Sequence, residues 1–176
     1  MKKHYWLMKS EPDVFGYDHL LEEPHQTVFW DGVRNYQARN LMRAMKVGDQ
    51  ALFYHSSTQP PHVVGVMEIV AEAAPDPTQF DPESPHFDPR SDPDDPRWWG
   101  VKVRAMTRLR NIVTLEALKA NPKLAEMRVN QRNQRLSVQP ATRAEFDIVL
   151  RMGGGLDCED LSHRHCEAEG HGNPGP

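Results

Sequence analysis

The chain has 176 residues, of which 38% are hydrophobic and 26% charged, and a net charge of −4. That size suits one domain, or one domain with appendages, with enough apolar residues to bury a core unaided. It excludes a disulfide scaffold, because both cysteines, Cys158 and Cys166, lie near the C-terminus.

The charge is segregated. Residues 153–176 carry five acids against one arginine, and residues 75–97 carry seven acids against two arginines. The rest of the chain is therefore net +5. A basic face on an acidic protein is compatible with that partition, as is an ordinary mixed surface. The apolar run Tyr5–Met8 is too short for a signal sequence or a membrane span, and the chain reads as cytoplasmic.

In chain order, His4–Lys9 alternates weakly and predicts a first strand, broken at Ser10-Glu11-Pro12-Asp13. Residues 17–23 predict a short helix, and 28–30 an extended piece. Asn35 suits an N-cap, and Ala38, Leu41, Met42 and Met45 fall on one helical stripe. Gly48-Asp49 turns that helix into a strand over Gln50–His55. A second strand, His62–Val70, pairs with it as a hairpin, with Gly65 marking a bulge.

Seven of the fifteen prolines fall in residues 75–97, which predicts a long surface loop without helix or central strand. A strand resumes over Trp98–Met106, and Thr114 caps a short helix ending near Asn121-Pro122. Leu136–Pro140 is extended, and Thr142 with Glu145 forms a capping box for a helix that Gly153 stops. Residues 1–152 read as one domain, and residues 153–176, rich in Gly, His and acids, as a disordered tail. Short strands and helices in non-repeating order favour a mixed barrel-like α+β domain over a doubly wound sheet.

Several chemistries find no support. The spacing of Cys158, His163, His165, Cys166 and His171 matches no zinc pattern, so no metal is expected. There is no Gly-x-Ser-x-Gly, phosphate loop or dinucleotide fingerprint, and no cofactor is expected. Glu11 and Asp31 form at most a weak carboxylate pair. The segment Phe29–Asn40 is the exception. Trp30 stands before an Asp-Gly turn, and amides and arginines follow it. Those groups suit a nucleobase and its neighbouring phosphate.

The segments Tyr5–Pro12 and Trp30–Asn40 closely resemble the EVE-domain family. So do Gly48-Asp49, Phe53–Ser56, the Asp-Pro-rich loop ending in Pro96-Arg97-Trp98, and Arg135–Pro140. The resemblance spans roughly residues 3–152 in order. It implies a PUA-like fold, a mixed β pseudo-barrel with flanking helices shared with PUA domains and YTH readers of methylated adenine. It implies a non-catalytic module that reads a modified base in DNA or RNA, such as a modified cytosine or methylated adenine. The family's pocket maps onto Lys9, Ser10, Glu11, Trp30 to Asn35, Tyr54, His55, Ser56, Ser137, Val138, Gln139 and Pro140, with Trp98 as a wall.

On this reading Trp30 stacks on the base. Ser137, Gln139, Asn35 and the backbone at Gly32 and Val33 bond its edge, while Lys9, Arg34 and Arg39 meet phosphates. The acidic loop is expected to lie away from the nucleic-acid path. The alternatives are a base hydrolase using Glu11 or Asp31, and a protein adaptor docking through Trp98-Trp99. One departure from the family pattern is Asn133, where relatives often have glycine. Asn tolerates a left-handed turn best after Gly.

Overall fold

A computed structural model describes residues 2–155. Six strands form one mixed sheet in the order β2-β5-β4-β3-β1-β6. They are β1 Tyr5–Ser10, β2 Thr27–Phe29, β3 Gln50–His55, β4 His62–Pro75, β5 Trp99–Thr114 and β6 Val138–Ala141. Only β1 and β3 pair in parallel, with Tyr5 opposite Gln50 and Ser10 opposite His55. The helices are α1 Pro12–Phe15, α2 Tyr17–Glu22, α3 Tyr36–Ala44, α4 Leu115–Ala120 and α5 Arg143–Met152.

Each face of the sheet buries its own core, because successive strand side chains point to opposite faces. On one face Trp6, Met8 and Phe53 meet Ala38, Met42 and Met45 of the α3 region. On the other, Leu7, Leu52 and Tyr54 meet Leu118, Phe146 and Val149 of α4 and α5. Strands β1 and β3 are therefore covered on both sides, which is why Trp6-Leu7-Met8 and Ala51–Tyr54 read as unbroken apolar runs.

The helix signals act as expected. Asn35 Oδ1 accepts from the Ala38 amide at 3.0 Å, and Thr114 and Thr142 cap α4 and α5. The hairpin and the irregularity at Gly65 also form. A Cβ at Gly65 would stand 2.7 Å from the Tyr17 ring, so the strand must bare its backbone there. Asn133 is left-handed at φ 58°, as its turn requires.

Three expectations change. Pro12–Phe15 forms a helical turn instead of a plain break. Strand β5 continues to Thr114, because Leu109 and Val113 keep packing on the second core. The proline-rich stretch is tied down: Pro77–Phe80 is a 3₁₀ turn, and Asp76, Gln79 and Trp98 are buried. Gln79 replaces missing ladder bonds by donating to the Asp76 and Trp98 carbonyls and accepting from the Trp98 amide. The expected disordered tail lies outside the described residues.

Asp49 locks the entry to β3. Its buried carboxylate accepts from the Trp6 indole at 3.1 Å and from the His4 and Lys46 amides at 3.0 Å each. Asp49→Ala leaves those donors unanswered. It is expected to lower the unfolding free energy by about 2–4 kcal/mol in urea titrations. A loss below about 0.5 kcal/mol would show that water replaces the carboxylate at no cost.

Candidate functional site

A cleft of about 650 Å³ opens where β1 runs out into α1. Its apolar wall comes from Phe15, Trp30 and Val33, and Lys9, Glu11 and Asp31 stand among its polar lining. Trp30 is only 7% exposed and meets Phe53 and Phe15 edge-to-face, with centroids 5.4 and 6.4 Å away. It is thus a fixed wall rather than a free platform. Its carbonyl lies where a Cβ on Gly100 would come within 2.2 Å, so β5 approaches Trp30 only because residue 100 has no side chain.

The turn after Trp30 is held from the far side by Asp76. Its Oδ2 accepts from the Gly32 amide and from Arg34 Nη1, both at 2.9 Å. Burial pushes the Asp76 carboxyl up, but bonds from Thr78, Gly32 and Arg34 outweigh it and hold the group below the usual carboxylate range. Arg34 also donates to the Val33 and His86 carbonyls and to Thr78 Oγ1. All five guanidinium N–H groups are thereby matched, which leaves none for a phosphate. Asp31, nearby, is pushed up by burial and by Asp76, against His86 and Arg34.

The structure brings together Lys9, Ser10, Glu11, Trp30, Gly32, Val33, Arg34 and Ser137 around the cleft. Lys9 donates from Nζ to the Gln134 carbonyl at 2.9 Å, and burial lowers its pKa. The Ser10 hydroxyl donates to the Phe15 carbonyl at 2.6 Å.

The other expected residues lie outside the lining. Asn35 caps α3, and Arg39 spends donors on Arg97 and Asn40. Tyr54 and Val138 are core residues. Gln139 stands opposite Leu7, on the face away from Val138, and donates to the Leu136 carbonyl while its Oε1 has no partner. Pro140 pairs with Trp6 along β6, and the Ser56 amide closes onto Ser10.

Trp98 is not a wall either. It stacks on Tyr36 at 4.9 Å, takes the Arg34 guanidinium at 5.5 Å from its centroid, and donates to Asp88. Sequence reasoning missed Phe15 and His86, both of which line the cleft. His86 belongs to the acidic loop, so the expectation that this loop keeps away from the site is corrected: Asp76 and Arg34 clamp it there. No local pattern marks His86, since only the fold brings it to Gly32.

Comparison with known proteins identifies the architecture. The model of the EVE domain family matches residues 4–152. Mouse thymocyte nuclear protein 1 is 46% identical over 85% of this chain and 73% of its own length. The crystal structure of human THYN1 protein in complex with 5-methylcytosine-containing DNA is 42% identical, with a TM-score of 0.80, over 88% of this chain and 99% of that one. The YTH domain of Zygosaccharomyces rouxii MRB1 protein, in complex with N6-methyladenosine RNA, has a TM-score of 0.50 over 86% of each chain. At 14% identity that likeness shows the fold alone, and the fold is PUA-like, as the resemblance implied. The expected cytoplasmic placement is overturned by the relatives' names. Those from mouse, chicken and human are each called thymocyte nuclear protein 1. No helix among the described residues is long and apolar enough to cross a membrane.

His55 lies behind the cleft in a relay. Its Nε2 accepts from the Tyr17 amide at 3.1 Å, and its Nδ1 lies 3.2 Å from His62 Nε2. His62 Nδ1 lies 2.8 Å from the Pro60 carbonyl. One proton placement satisfies all three contacts: each ring is neutral and protonated at Nδ1. Burial, His62 and Arg108 hold His55 down to about 4, against a pull from Asp18, where an unperturbed histidine titrates at 6.5. The unfolded chain therefore binds more protons in that window, and stability falls as pH drops through it. Urea midpoints are expected to decline between pH 6.5 and 4, and His55→Gln to flatten the decline. An unchanged profile in the variant would assign the loss elsewhere.

Proposed function

This chain belongs to the EVE-domain family, and we propose that it is a non-catalytic reader of a modified nucleobase, built on residues 1–152. The observation that carries the reading is the cleft itself: an aromatic and apolar wall, Trp30 with Phe15, set against the carboxylates of Glu11 and Asp31. A base slides its ring against the apolar wall and offers its edge to the polar side. The exocyclic amines of cytosine and adenine are donors, and carboxylates accept from them. Human THYN1, 42% identical, has been crystallised with 5-methylcytosine-containing DNA, which supports a methylated cytosine as the first ligand to test. The base must leave its stack, because a cleft cannot enclose it inside a duplex. Lys9 and Ser137, with the backbone at Gly32, complete the polar lining.

Fluorescence titrations with short oligonucleotides, each holding one plain or methylated cytosine, test this. The parent is expected to prefer the methylated base by about 1–3 kcal/mol. Trp30→Ala should remove about 1–3 kcal/mol of affinity. Because Trp30 also packs on Phe53, Phe15→Ala serves as a second variant, with thermal melts to confirm folding. A Trp30→Ala protein that binds as well as the parent sinks the assignment. Release of a free base during incubation would instead favour catalytic use of Glu11 and Asp31.

A further inference from the structure

Two cations beside the cleft lack internal partners, and both lie on one loop. Residues 127–144 contain no Asp or Glu and four arginines. Within this stretch the turn at Asn133 presents Arg132 and Arg135, both exposed, to solvent. Their side chains make no hydrogen bond or ion pair among the described residues. The loop is fastened to the cleft by Lys9, whose Nζ donates to the Gln134 carbonyl at 2.9 Å and whose amide donates to the Ser137 carbonyl at 2.8 Å. Arg135 thus follows one anchored residue directly and stands two before Ser137, which lines the cleft.

The two arginines that follow Trp30 are committed. Arg34 has every donor matched, and Arg39 bonds Arg97 and Asn40. Around the cleft itself, Glu11, Glu23 and Asp31 repel phosphate.

We propose that Arg132 and Arg135 form the backbone-holding surface of this protein, gripping the phosphodiesters next to the nucleotide whose base enters the cleft. The proposal rests on the reader assignment for the base but not for the grip. A strand crossing this protein meets the carboxylates of Glu11, Glu23 and Asp31 in the cleft, beside cations already committed, and free guanidinium forks on one loop, so its phosphates follow the loop. Contacts of this kind position a ligand without reading its sequence. Arginine suits them, since its fork matches phosphate oxygens in pairs.

The test is salt dependence on single strands bearing one 5-methylcytosine or one plain cytosine. Each phosphate contact on a single strand contributes about 0.7 to the slope of log K against log salt. Arg132→Gln/Arg135→Gln should therefore flatten the slope by about 1.4 while leaving the preference for the methylated base unchanged. Arg132→Lys/Arg135→Lys should retain most of the slope, because charge is kept. Lys119→Gln/Lys123→Gln, on exposed cations of α4 and the turn after it, should retain all of it. An unchanged slope in the glutamine variant overturns the proposal, as does an equal loss in the lysine-to-glutamine control. A flattened slope in a protein with no preference for the methylated base would refute the reader and keep the grip. A parent that binds neither strand refutes both.

Discussion

The cleft depends on one buried carboxylate. Asp76 has a fully covered side chain, and it reaches across from the proline-rich loop to the Gly32 amide and to Arg34. The Trp30–Asn35 turn lies between the end of β2 and the start of α3, so no ladder or helix bonds hold the Gly32 amide, and Asp76 supplies its acceptor. Burying the Arg34–Asp76 pair costs desolvation that its attraction barely repays, so its value lies in geometry more than in stability. It does two things at once. It sets the backbone that follows Trp30, and through the Arg34 bonds to the His86 carbonyl it draws the acidic loop against the cleft. Without that loop the wall at Gly32 would be open. A Cβ at Gly32 would stand 2.7 Å from His86 Nε2, so the two segments touch as closely as a bare backbone permits.

Behind this junction the aromatic residues are structural. Arg39, Tyr36, Trp98 and Arg34 stand in a column of two stacked rings capped at each end by a guanidinium, with Arg39 4.8 Å from the Tyr36 centroid. Cation–π contacts of this kind are worth about 0.5–2 kcal/mol each, depending on exposure. Here they brace the start of α3 against the end of the acidic loop. That explains why an aromatic residue can match a family motif at a pocket and still stand outside the cleft. Trp98 shapes the cleft by positioning Arg34, not by touching what the cleft holds.

The scaffold was legible where the signal is local. Asn35, Thr114 and Thr142 are read as caps from their own side chains, and the stripe from Ala38 to Met45 from its spacing alone. The hairpin of β3 and β4 follows from two apolar runs and a polar loop. Half of the candidate site was legible for the same reason, since Lys9–Glu11 and Trp30–Arg34 each sit at the end of a strand. What escaped was whatever depends on contacts distant in sequence. Residues 75–97 read as a solvated loop because proline and aspartate dominate, yet Asp76 and Gln79 are buried through bonds to residues 32, 34 and 98. Gln139 and Val138 were both placed at the cleft, but neighbours on a strand cannot share a face, and neither lines it. Arg34 looked like a phosphate ligand because a charge count cannot reveal that each donor is already matched.

The same distinction between charge carried and charge available resolves the apparent mismatch between a net-acidic chain and a nucleic-acid ligand. Net charge governs the far field, and salt screens it within about 10 Å. What a strand meets at contact is the local arrangement. The carboxylates that line the cleft suit a base edge with amine donors and are unsuited to phosphate. Lys9, half buried and already donating to Gln134, contributes a directed hydrogen bond more than a diffuse charge. The acids thus act as a filter. They favour a ligand that presents a neutral, donor-bearing edge and disfavour a bare phosphate group in the cleft, which leaves the acid-free loop around Asn133 for an electrostatic grip.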